Sequence, residues 1–487
     1  MKTISIDPIT RLEGHGKIEI FLDDNGEVAN AYVQIPELRG FEKFCEGRAV
    51  EEVAHITPRI CGVCPEAHHM AGMKTLDAVF KVEPTSTAKK LRRLLYNSFF
   101  VSDHTTHFYI LAGPDFVVGP DAPVAERNIL GVIAKVGRET GGEVIKRRRE
   151  CNHIVEMLAG RQVHPICGLP GGVSKGLNAE EIAEAKQIAA NSLEFAKFSL
   201  QLFHDMVLGN SAYKDLILSD MYAHKTYYMG LVDDQNRADF YDGKVRVVDP
   251  DGNEFCKFAP ADYLEHIAEH VEPWSYLKFP YLKKIGWKGF VEGKDSGIYR
   301  TAPLARINAS EAMATPLANA ELQKFRETLG RTVHATLATH WARLIELMQA
   351  AEAMVELTND PEIGSDDLRN RDLGTPGEGV GIVEAPRGTL IHHYISDENG
   401  IAQKVNLIVG TTHNNAPICM SIKRAAQGLI HKNGEISEGT LNKVEMAFRA
   451  YDPCFGCATH AIGQTPLIVT VYAPNGSVVA QGRQDPR

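Results

Sequence analysis

Two pairs of cysteines stand near opposite ends of the chain, Cys61 and Cys64 in CGVC and Cys454 and Cys457 in CFGC. A CxxC spacing brings two sulfurs close enough to share one metal ion, and thiolates bind soft and borderline metals well. Two such loops make a four-sulfur site if the fold joins them. A structural zinc site is one interpretation of the cysteines alone, although common zinc modules close a short loop and roughly 390 residues lie between these pairs.

The elements that must position these cysteines are predicted to be mainly helical, with β hairpins at the periphery. Helices are predicted over 84–113, ended by Gly113-Pro114, over 139–159, over 178–208 with Asn178 as cap, and over 318–357 with an interruption near Gly330. Hairpins are predicted over 17–35, around 249–252, over 379–410 with a turn near Asn399-Gly400, and over 467–482. The fold class is therefore α+β.

Composition excludes several classes of function. The chain has 487 residues, 44% of them hydrophobic and 23% charged, which is ordinary for a folded protein. The net charge is −10 without a block of like charges, so nucleic acid is not expected as a partner. No apolar run has the roughly 18 residues of a membrane-spanning helix, and the first residues contain no apolar segment of a signal peptide. Nine cysteines, an odd and sparse number, argue against a disulfide scaffold.

The sequence around each cysteine pair is more specific than the cysteines themselves. The pairs lie in RICGVCPEAHH (59–69) and DPCFGCATH (452–460). Further segments are DPITRLEGH (7–15), RGFE (39–42), DHTTHFY (103–109), HPICGLPGGV (164–173), APLARIN (302–308) and EAPRGTLIHHY (384–394). Together they closely resemble, in order and over nearly the whole chain, the large subunits of nickel–iron hydrogenases. The resemblance implies the fold of those subunits, built on a bundle of long helices, and an oxidoreductase that acts on dihydrogen.

The resemblance assigns roles to the cysteines. It implies that Cys61, Cys64, Cys454 and Cys457 are nickel ligands, with Cys64 and Cys457 bridging to an iron that carries carbon monoxide and cyanide. Four soft thiolates suit redox-active nickel. His68 would donate a hydrogen bond to a bridging sulfur, unless it is an ordinary core histidine.

Three further kinds of residue match the family's catalytic machinery. Heterolytic cleavage of dihydrogen needs a hydride acceptor, which the metal pair would supply, and a proton acceptor. The thiolate of Cys454 would take the proton, and Glu13 in RLEGH matches the glutamate that relays it. Arg387, preceded by Pro386, matches an arginine over the active site. Asp103 and Asp452 match the carboxylates that hold this arginine. The alternatives are a surface glutamate and a purely structural ion pair.

The resemblance also implies a second metal site with hard ligands. Glu42 in RGFE and His460 match ligands of a magnesium-type ion, and a main-chain carbonyl near Asn415 would be a third ligand. Oxygen ligands and retained waters suit magnesium, and iron is the alternative metal.

The remaining cysteines, which form no pair, predict that electrons leave through another protein chain. Cys45, Cys151, Cys167, Cys256 and Cys419 are expected to be packed thiols rather than cluster ligands. The expected partner is therefore an iron–sulfur small subunit, with further flavin and iron–sulfur electron-transfer subunits. The pattern is most similar to the cytoplasmic, multi-subunit branch that feeds a heterodisulfide-reductase-type partner, with NAD-reducing and deazaflavin-reducing hydrogenases as alternatives.

The tail after His460 looks like the extension that a maturation endopeptidase removes in this family. The expected organisation is thus one catalytic domain over 1–460 and a cleaved tail over 461–487. Two other classes stay open: a structural or assembly protein with a four-cysteine zinc site, and a quinone-reductase subunit of the same ancestry. Such quinone-reductase relatives have generally lost the cysteine pairs, which this chain keeps.

Overall fold

The computed structural model describes residues 2–37, 39–431 and 436–459, and the backbone of two strands at 467–472 and 478–484. Helices dominate this part of the chain and small sheets surround them, so the predicted α+β class is confirmed. His460 and the turn predicted between the two final strands lie outside the described residues. Within the described part, no helix combines the length and apolar character needed to cross a membrane.

Eight longer helices form the body of the fold. They are Pro65–Val79, Ser86–Thr106, Arg138–Ala159, Ala179–Phe203, Pro316–Leu329, Thr339–Asn359, Asn415–Leu429 and Glu438–Arg449. The helix Thr339–Asn359 is buried on every side along its first three turns. It packs against Ser86–Thr106 and Ala179–Phe203. A helix buried all round belongs at the centre of a large core, and this one is the axis of the bundle.

Shorter helices connect the bundle to its surroundings. The α-helical ones are Phe41–Cys45, Val50–Ile56, Ile129–Val136, Ser211–Leu218, Tyr263–His266, Pro303–Ala309, Gly410–His413 and Phe455–Ala458. The 3-10 turns are Thr57–Ile60, Asp220–Tyr222, Pro260–Asp262, Thr336–Ala338 and Pro361–Gly364. The π-helical segments are His107–Ala112, Pro114–Val118 and His204–Leu208.

Local sequence signals explain where several helices begin and end. Asn178 accepts hydrogen bonds from the backbone N–H groups of Glu180 and Glu181, and the Glu181 side chain accepts one from the backbone N–H of Asn178, which completes a capping box. Gly330, with a φ of 93°, ends the helix Pro316–Leu329. The predicted cap and the predicted interruption are both confirmed.

The predicted stop at Gly113-Pro114 was wrong. Gly113 keeps helical backbone angles, and the chain continues through the π-helical segments to Gly119, whose φ is 118°. Pro114 stands at the first position of its segment, where the fixed φ of proline suits a helix. A proline that begins a new helical segment therefore does not end the helical path.

Within the described residues, the strands form six small antiparallel or mixed sheets. They comprise Lys2–Ile6, Lys17–Leu22 and Val28–Gln34; Tyr227–Val232, Arg237–Ala238, Lys244–Val248, Glu254–Phe258, Tyr299–Arg300 and Ala312–Met313; Ile267–Val271 and Lys278–Leu282; Glu378–Ala385, Gly388–Ser396 and Ala402–Ile408; Gly168–Leu169 and Gly172–Val173; and Leu467–Tyr472 and Val478–Gln484. The hairpins predicted near 17–35 and 249–252 are confirmed.

The region 379–410 contains two successive hairpins where one was predicted. Besides the turn near Asn399-Gly400, the chain reverses at Pro386 and Arg387, and Ala385 pairs with Gly388 across this tight turn. Gly388 has a φ of 138°, a conformation that L side chains rarely adopt. Arg387 therefore lies at the tip of a rigid hairpin.

A buried ion cluster ties the N-terminal loop to the helix Glu438–Arg449. The Asp115 carboxylate accepts hydrogen bonds from Arg11 Nη2 and Arg449 Nη1, each at 2.5 Å, and from Asn442 Nδ2 at 3.1 Å. These guanidinium groups hold the pKa of Asp115 below its ordinary value, although burial opposes its ionisation. Within the cluster, Arg11 Nη2 donates to Asn442 Oδ1 at 2.9 Å, across 431 residues of the chain.

Asp115→Asn should destabilise the fold by about 3–5 kcal/mol, because it leaves two buried guanidinium groups without their shared counter-charge. Urea unfolding followed by circular dichroism measures the change in the free energy of unfolding. Asp121→Asn is the matched control, since the exposed Asp121 pairs with Lys443 at the surface, and we expect a change within about 0.5 kcal/mol. Equal effects of the two substitutions would contradict the importance of the cluster.

Candidate metal centre

The structure brings the four paired cysteines together in the interior. All four Sγ atoms lie within 4.8 Å of one another, and the side chains are at most 4% exposed. The Cys454 Sγ lies 3.1 Å from that of Cys61, and the Cys64 Sγ lies 3.5 Å from that of Cys457. Sulfurs converging from both ends of the chain at this spacing surround a volume of the size that one metal ion fills.

Backbone contacts hold the two chain ends in place. Phe455 N donates to the Glu13 carbonyl at 3.1 Å, and Cys454 N donates to Thr411 Oγ1 at 3.0 Å. A Cβ on Gly16 would lie 2.4 Å from the Phe455 ring. Glycine at this position therefore lets the N-terminal loop lie directly against the second cysteine pair.

Cys454 and Cys457 are held where they ionise poorly without a cation. Burial raises the pKa of Cys454 and of Cys457 well above the ordinary thiol value. Burial opposes the ionisation of Cys61 as well, but hydrogen bonds from the other three thiols lower its pKa well below that value. Four thiolates at this spacing thus require a compensating positive charge, which a soft or borderline metal ion would supply.

Arg387 lies beside the sulfurs between two carboxylates. Its Nη1 donates to Asp103 Oδ2 at 3.0 Å, and its Nη2 lies 2.9 Å from Asp452 Oδ2. Burial would lower the pKa of Arg387, but these carboxylates raise it well above its ordinary value. Burial raises the pKa of Asp452 to about 7. The arginine and the two carboxylates that were predicted to hold it are together in the structure.

A second arginine, which sequence analysis did not single out, supports the Arg387 hairpin. The fully buried Arg306 donates to the main-chain carbonyls of Ala385 and Pro386 at 2.8 and 3.3 Å. It also binds Glu346 at 2.5 and 2.7 Å and Glu384 at 2.7 Å. Arg306 and Glu384 stand in two of the recognised segments, APLARIN and EAPRG, and that was the available signal.

A small enclosed cavity adjoins the sulfurs on one side. It is lined by Cys64, Ala67, His68, Ala385, Arg387, Leu390, Val409, Gly410, Thr411 and Cys457. The wall thus offers two thiols, one guanidinium and several apolar groups. This chemistry fits a metal that shares two sulfurs and carries small, weakly polar ligands, with the guanidinium as hydrogen-bond donor to them.

Glu13 and His68 contact different sulfurs. The Cys454 thiol donates to Glu13 Oε2 at 3.0 Å, and Gly456 N donates to the same oxygen at 3.2 Å. Partial burial, followed by the charge of Cys61, raises the pKa of Glu13. His68 Nε2 lies 3.6 Å from the other sulfur of the second cysteine pair, Cys457 Sγ.

Glu42 and Asn415, which were predicted to contribute to a second metal site, both contact Lys278, a residue that sequence analysis did not single out. Glu42 Oε1 accepts from Leu407 N at 2.8 Å and lies 3.8 Å from Lys278 Nζ. Asn415 Nδ2 donates to the Lys278 carbonyl at 2.8 Å, and Lys278 Nζ donates to Glu269 at 3.1 Å. Two carboxylates beside one ammonium leave a net negative charge, which fits a hydrated divalent cation.

The other five cysteines do not join the cluster. Cys45, Cys151, Cys167 and Cys419 are buried, and Cys256 is partly buried. Among the residues described, Cys61, Cys64, Cys454 and Cys457 are the only group of three or more side chains placed to hold a metal ion.

Comparison with known proteins identifies the family. The family model for nickel-dependent hydrogenases matches residues 39–128 and 297–460, and a model described as HoxL-like matches residues 3–38. An iron-sulfur subunit of an F420-non-reducing hydrogenase from Archaeoglobus profundus is 50% identical over 98% of this chain and 99% of its own length. The chain belongs to the nickel-dependent hydrogenases.

Other hydrogenases agree in sequence and in structure. The beta subunit of the NAD-reducing hydrogenase HoxS from Cupriavidus necator is 39% identical over 98% of this chain and 99% of its own length. A crystal structure of an NAD+-reducing [NiFe]-hydrogenase in the H2-reduced state superposes with a TM-score of 0.88 at 36% identity, covering 94% of this chain and all of that one. The predicted family, fold and enzyme class are confirmed, and the chain is a nickel–iron hydrogenase large subunit.

Proposed function

We propose that Cys61, Cys64, Cys454 and Cys457 hold the nickel–iron centre, with Cys64 and Cys457 bridging to iron. The observation that carries the proposal is the convergence of four buried sulfurs beside a cavity bounded by Arg387. Only Cys64 and Cys457 of the four line that cavity, which favours them as the shared ligands. When bound, the metal pair, its iron carrying carbon monoxide and cyanide, would accept the hydride of heterolytically cleaved dihydrogen.

Residues of the chain itself would carry the proton. Cys454 Sγ is the sulfur in hydrogen-bond contact with Glu13, at 3.0 Å. Its thiolate would take the proton and pass it to the Glu13 carboxylate, whose raised pKa makes it a better acceptor. In dihydrogen formation the same two groups would deliver the proton in the opposite direction.

Arg387 would act at the cavity that Cys64 and Cys457 line. Asp103 and Asp452 restrain its guanidinium, and Arg306 and Asn414 hold the hairpin tip that carries it. A charged donor fixed in this way can hydrogen-bond small ligands in the cavity without reorganising.

Electrons would leave through an iron–sulfur small subunit. Val63, Val163 and Ile166 are exposed apolar side chains near the first cysteine pair. His164 Nδ1 contacts the Pro58 carbonyl at 3.1 Å and so fixes the 163–166 segment beside that pair. An exposed apolar patch adjoining Cys61 fits a protein interface. The relatives' names favour an F420-non-reducing complex, and an NAD-reducing complex is the alternative. Further flavin and iron–sulfur electron-transfer subunits would complete the proposed complex.

Three further features complete the proposal. Glu42, His460 and the carbonyl near Asn415 would hold magnesium or iron. A maturation endopeptidase would remove residues 461–487, so that 1–460 form the catalytic domain. The complex would work in the cytoplasm.

Metal analysis of the complex purified without oxygen tests the proposal. We expect one nickel and no stoichiometric zinc per large subunit, together with formation of HD from D2 in ordinary water. The intact mass of the same sample should correspond to residues 1–460. Stoichiometric zinc without nickel would instead support the four-cysteine structural protein.

A further inference from the structure

A chain of buried hydrogen bonds leads away from Cys457 through His68. His68 Nε2 lies 3.6 Å from Cys457 Sγ, His68 Nδ1 lies 3.1 Å from His392 Nε2, and His392 Nδ1 lies 2.7 Å from the Tyr394 hydroxyl. The side chains of His68, His392 and Tyr394 are fully buried. Both ring nitrogens of each histidine are therefore engaged along one path.

The fold explains why these three side chains meet. His392 and Tyr394 are two residues apart on the strand Gly388–Ser396, so their side chains lie on the same face. That face packs against the helix Pro65–Val79, which carries His68. His393, on the opposite face, contacts Tyr263 and Glu378 instead.

The sulfur determines the direction of the hydrogen bonds. A metal-bound thiolate carries no proton and can only accept, so His68 must present Nε2–H to Cys457. A neutral imidazole has one donor and one acceptor nitrogen, and His68 Nδ1 must then accept from His392 Nε2–H. His392 Nδ1 in turn must accept from the Tyr394 hydroxyl.

We propose that His392 and Tyr394 are positioning residues for the nickel–iron centre, which fix the tautomer and orientation of His68 so that its N–H points at Cys457. This inference rests on the proposed function, because it requires Cys457 to be a thiolate. The O–H and the two N–H dipoles all point towards the sulfur, and aligned hydrogen bonds strengthen one another in a dry interior.

Tyr394, at the far end of the path, is suited to act as a fixed hydrogen-bond donor to His392. Burial raises the pKa of Tyr394 well above its ordinary value, so the hydroxyl keeps its proton. The hydroxyl also lies close to Gly72, where a Cβ would come within 3.5 Å of it and within 3.0 Å of Ala54 Cβ. The tyrosine is thus fully buried against the helix Pro65–Val79 and has little freedom to turn away.

Loss of the hydrogen bond from His68 to Cys457 has a predictable electronic effect on nickel. A hydrogen bond to a thiolate stabilises negative charge on sulfur and weakens its electron donation to the metals. Without it, the sulfur donates more strongly and nickel becomes harder to reduce. The midpoint potential of nickel should therefore move to a more negative value.

Four variants of the intact complex test the inference, with nickel content and the midpoint potential from a titration followed by electron paramagnetic resonance as readouts. His392→Leu and Tyr394→Phe should keep nickel and shift the potential to more negative values, and His392→Leu should lose roughly 10- to 100-fold in activity. His392→Gln places an amide N–H near the former Nε2 and should restore a potential close to that of the wild type. His393→Gln is the matched control on the other face of the strand and should change neither readout.

The outcomes separate this inference from the proposed function. A wild-type complex without nickel would overturn both. With nickel present, an unchanged midpoint potential in Tyr394→Phe would overturn the role of the path. This variant removes only one oxygen atom, so it decides the case if His392→Leu does not accumulate. Equal shifts in His392→Leu and His392→Gln would also overturn it, because only the shape of the side chain would then matter.

Discussion

Cys454→Ser should abolish dihydrogen turnover and the retention of nickel. A serine hydroxyl is a hard ligand with a much higher pKa than a thiol, so it cannot replace a thiolate on nickel. The same change removes the group that hands the proton to Glu13, at 3.0 Å. We therefore expect a loss of more than about 100-fold, beyond the range for partners outside the ligand set.

The measurement combines hydrogen uptake with nickel content of the purified complex. Cys256→Ser is the matched control, because Cys256 lies on the strand Glu254–Phe258, outside the cluster, and is partly buried. It should keep both nickel and activity. Full turnover by the Cys454→Ser complex would refute the assignment of this sulfur as a ligand.

Glu13→Gln should lower turnover by about 100- to 10,000-fold while nickel is retained. Glutamine has the same shape and its carbonyl oxygen can still accept from Gly456 N, as Glu13 Oε2 does at 3.2 Å. It cannot, however, take up a proton. The substitution therefore isolates proton transfer from the packing of the N-terminal loop against the second cysteine pair.

Two readouts and one control define this experiment. Turnover and the exchange of D2 with solvent protons should fall together, because both need the proton to leave Cys454. Glu37→Gln is the control: Glu37 accepts from the His15 backbone and ring nearer the surface, and we expect little change. Normal exchange in Glu13→Gln would mean that the proton leaves by another route.

The composition of the site was largely accessible from sequence, since the cysteine pairs and their flanking segments are local signals. The charged residues that support the site were not accessible from sequence. Arg306 binds Glu346 and Glu384, which lie 40 and 78 residues away in the chain. The sequence alone does not distinguish such a buried charged residue from one on the surface. His392 and His393 are adjacent, and only the packing of their strand shows which one faces His68.

The errors in the predicted fold have local causes. Proline commonly marks the end of a helix, but Pro114 begins a π-helical segment. The reversal at Pro386 and Arg387 lacks the Asn-Gly or Asp-Gly pair that marks common tight turns, so one long hairpin was predicted where there are two. That missed turn is the one that carries Arg387.

The distance between the cysteine pairs has a consequence for biosynthesis. Cys61 and Cys454 are 393 residues apart, and ribosomes add about 5–20 residues per second. The first pair is therefore synthesised roughly 20–80 s before the second. A nascent chain can offer nickel only the first pair of these sulfurs during that interval, so the complete coordination shell can form only after translation has passed the last cysteine.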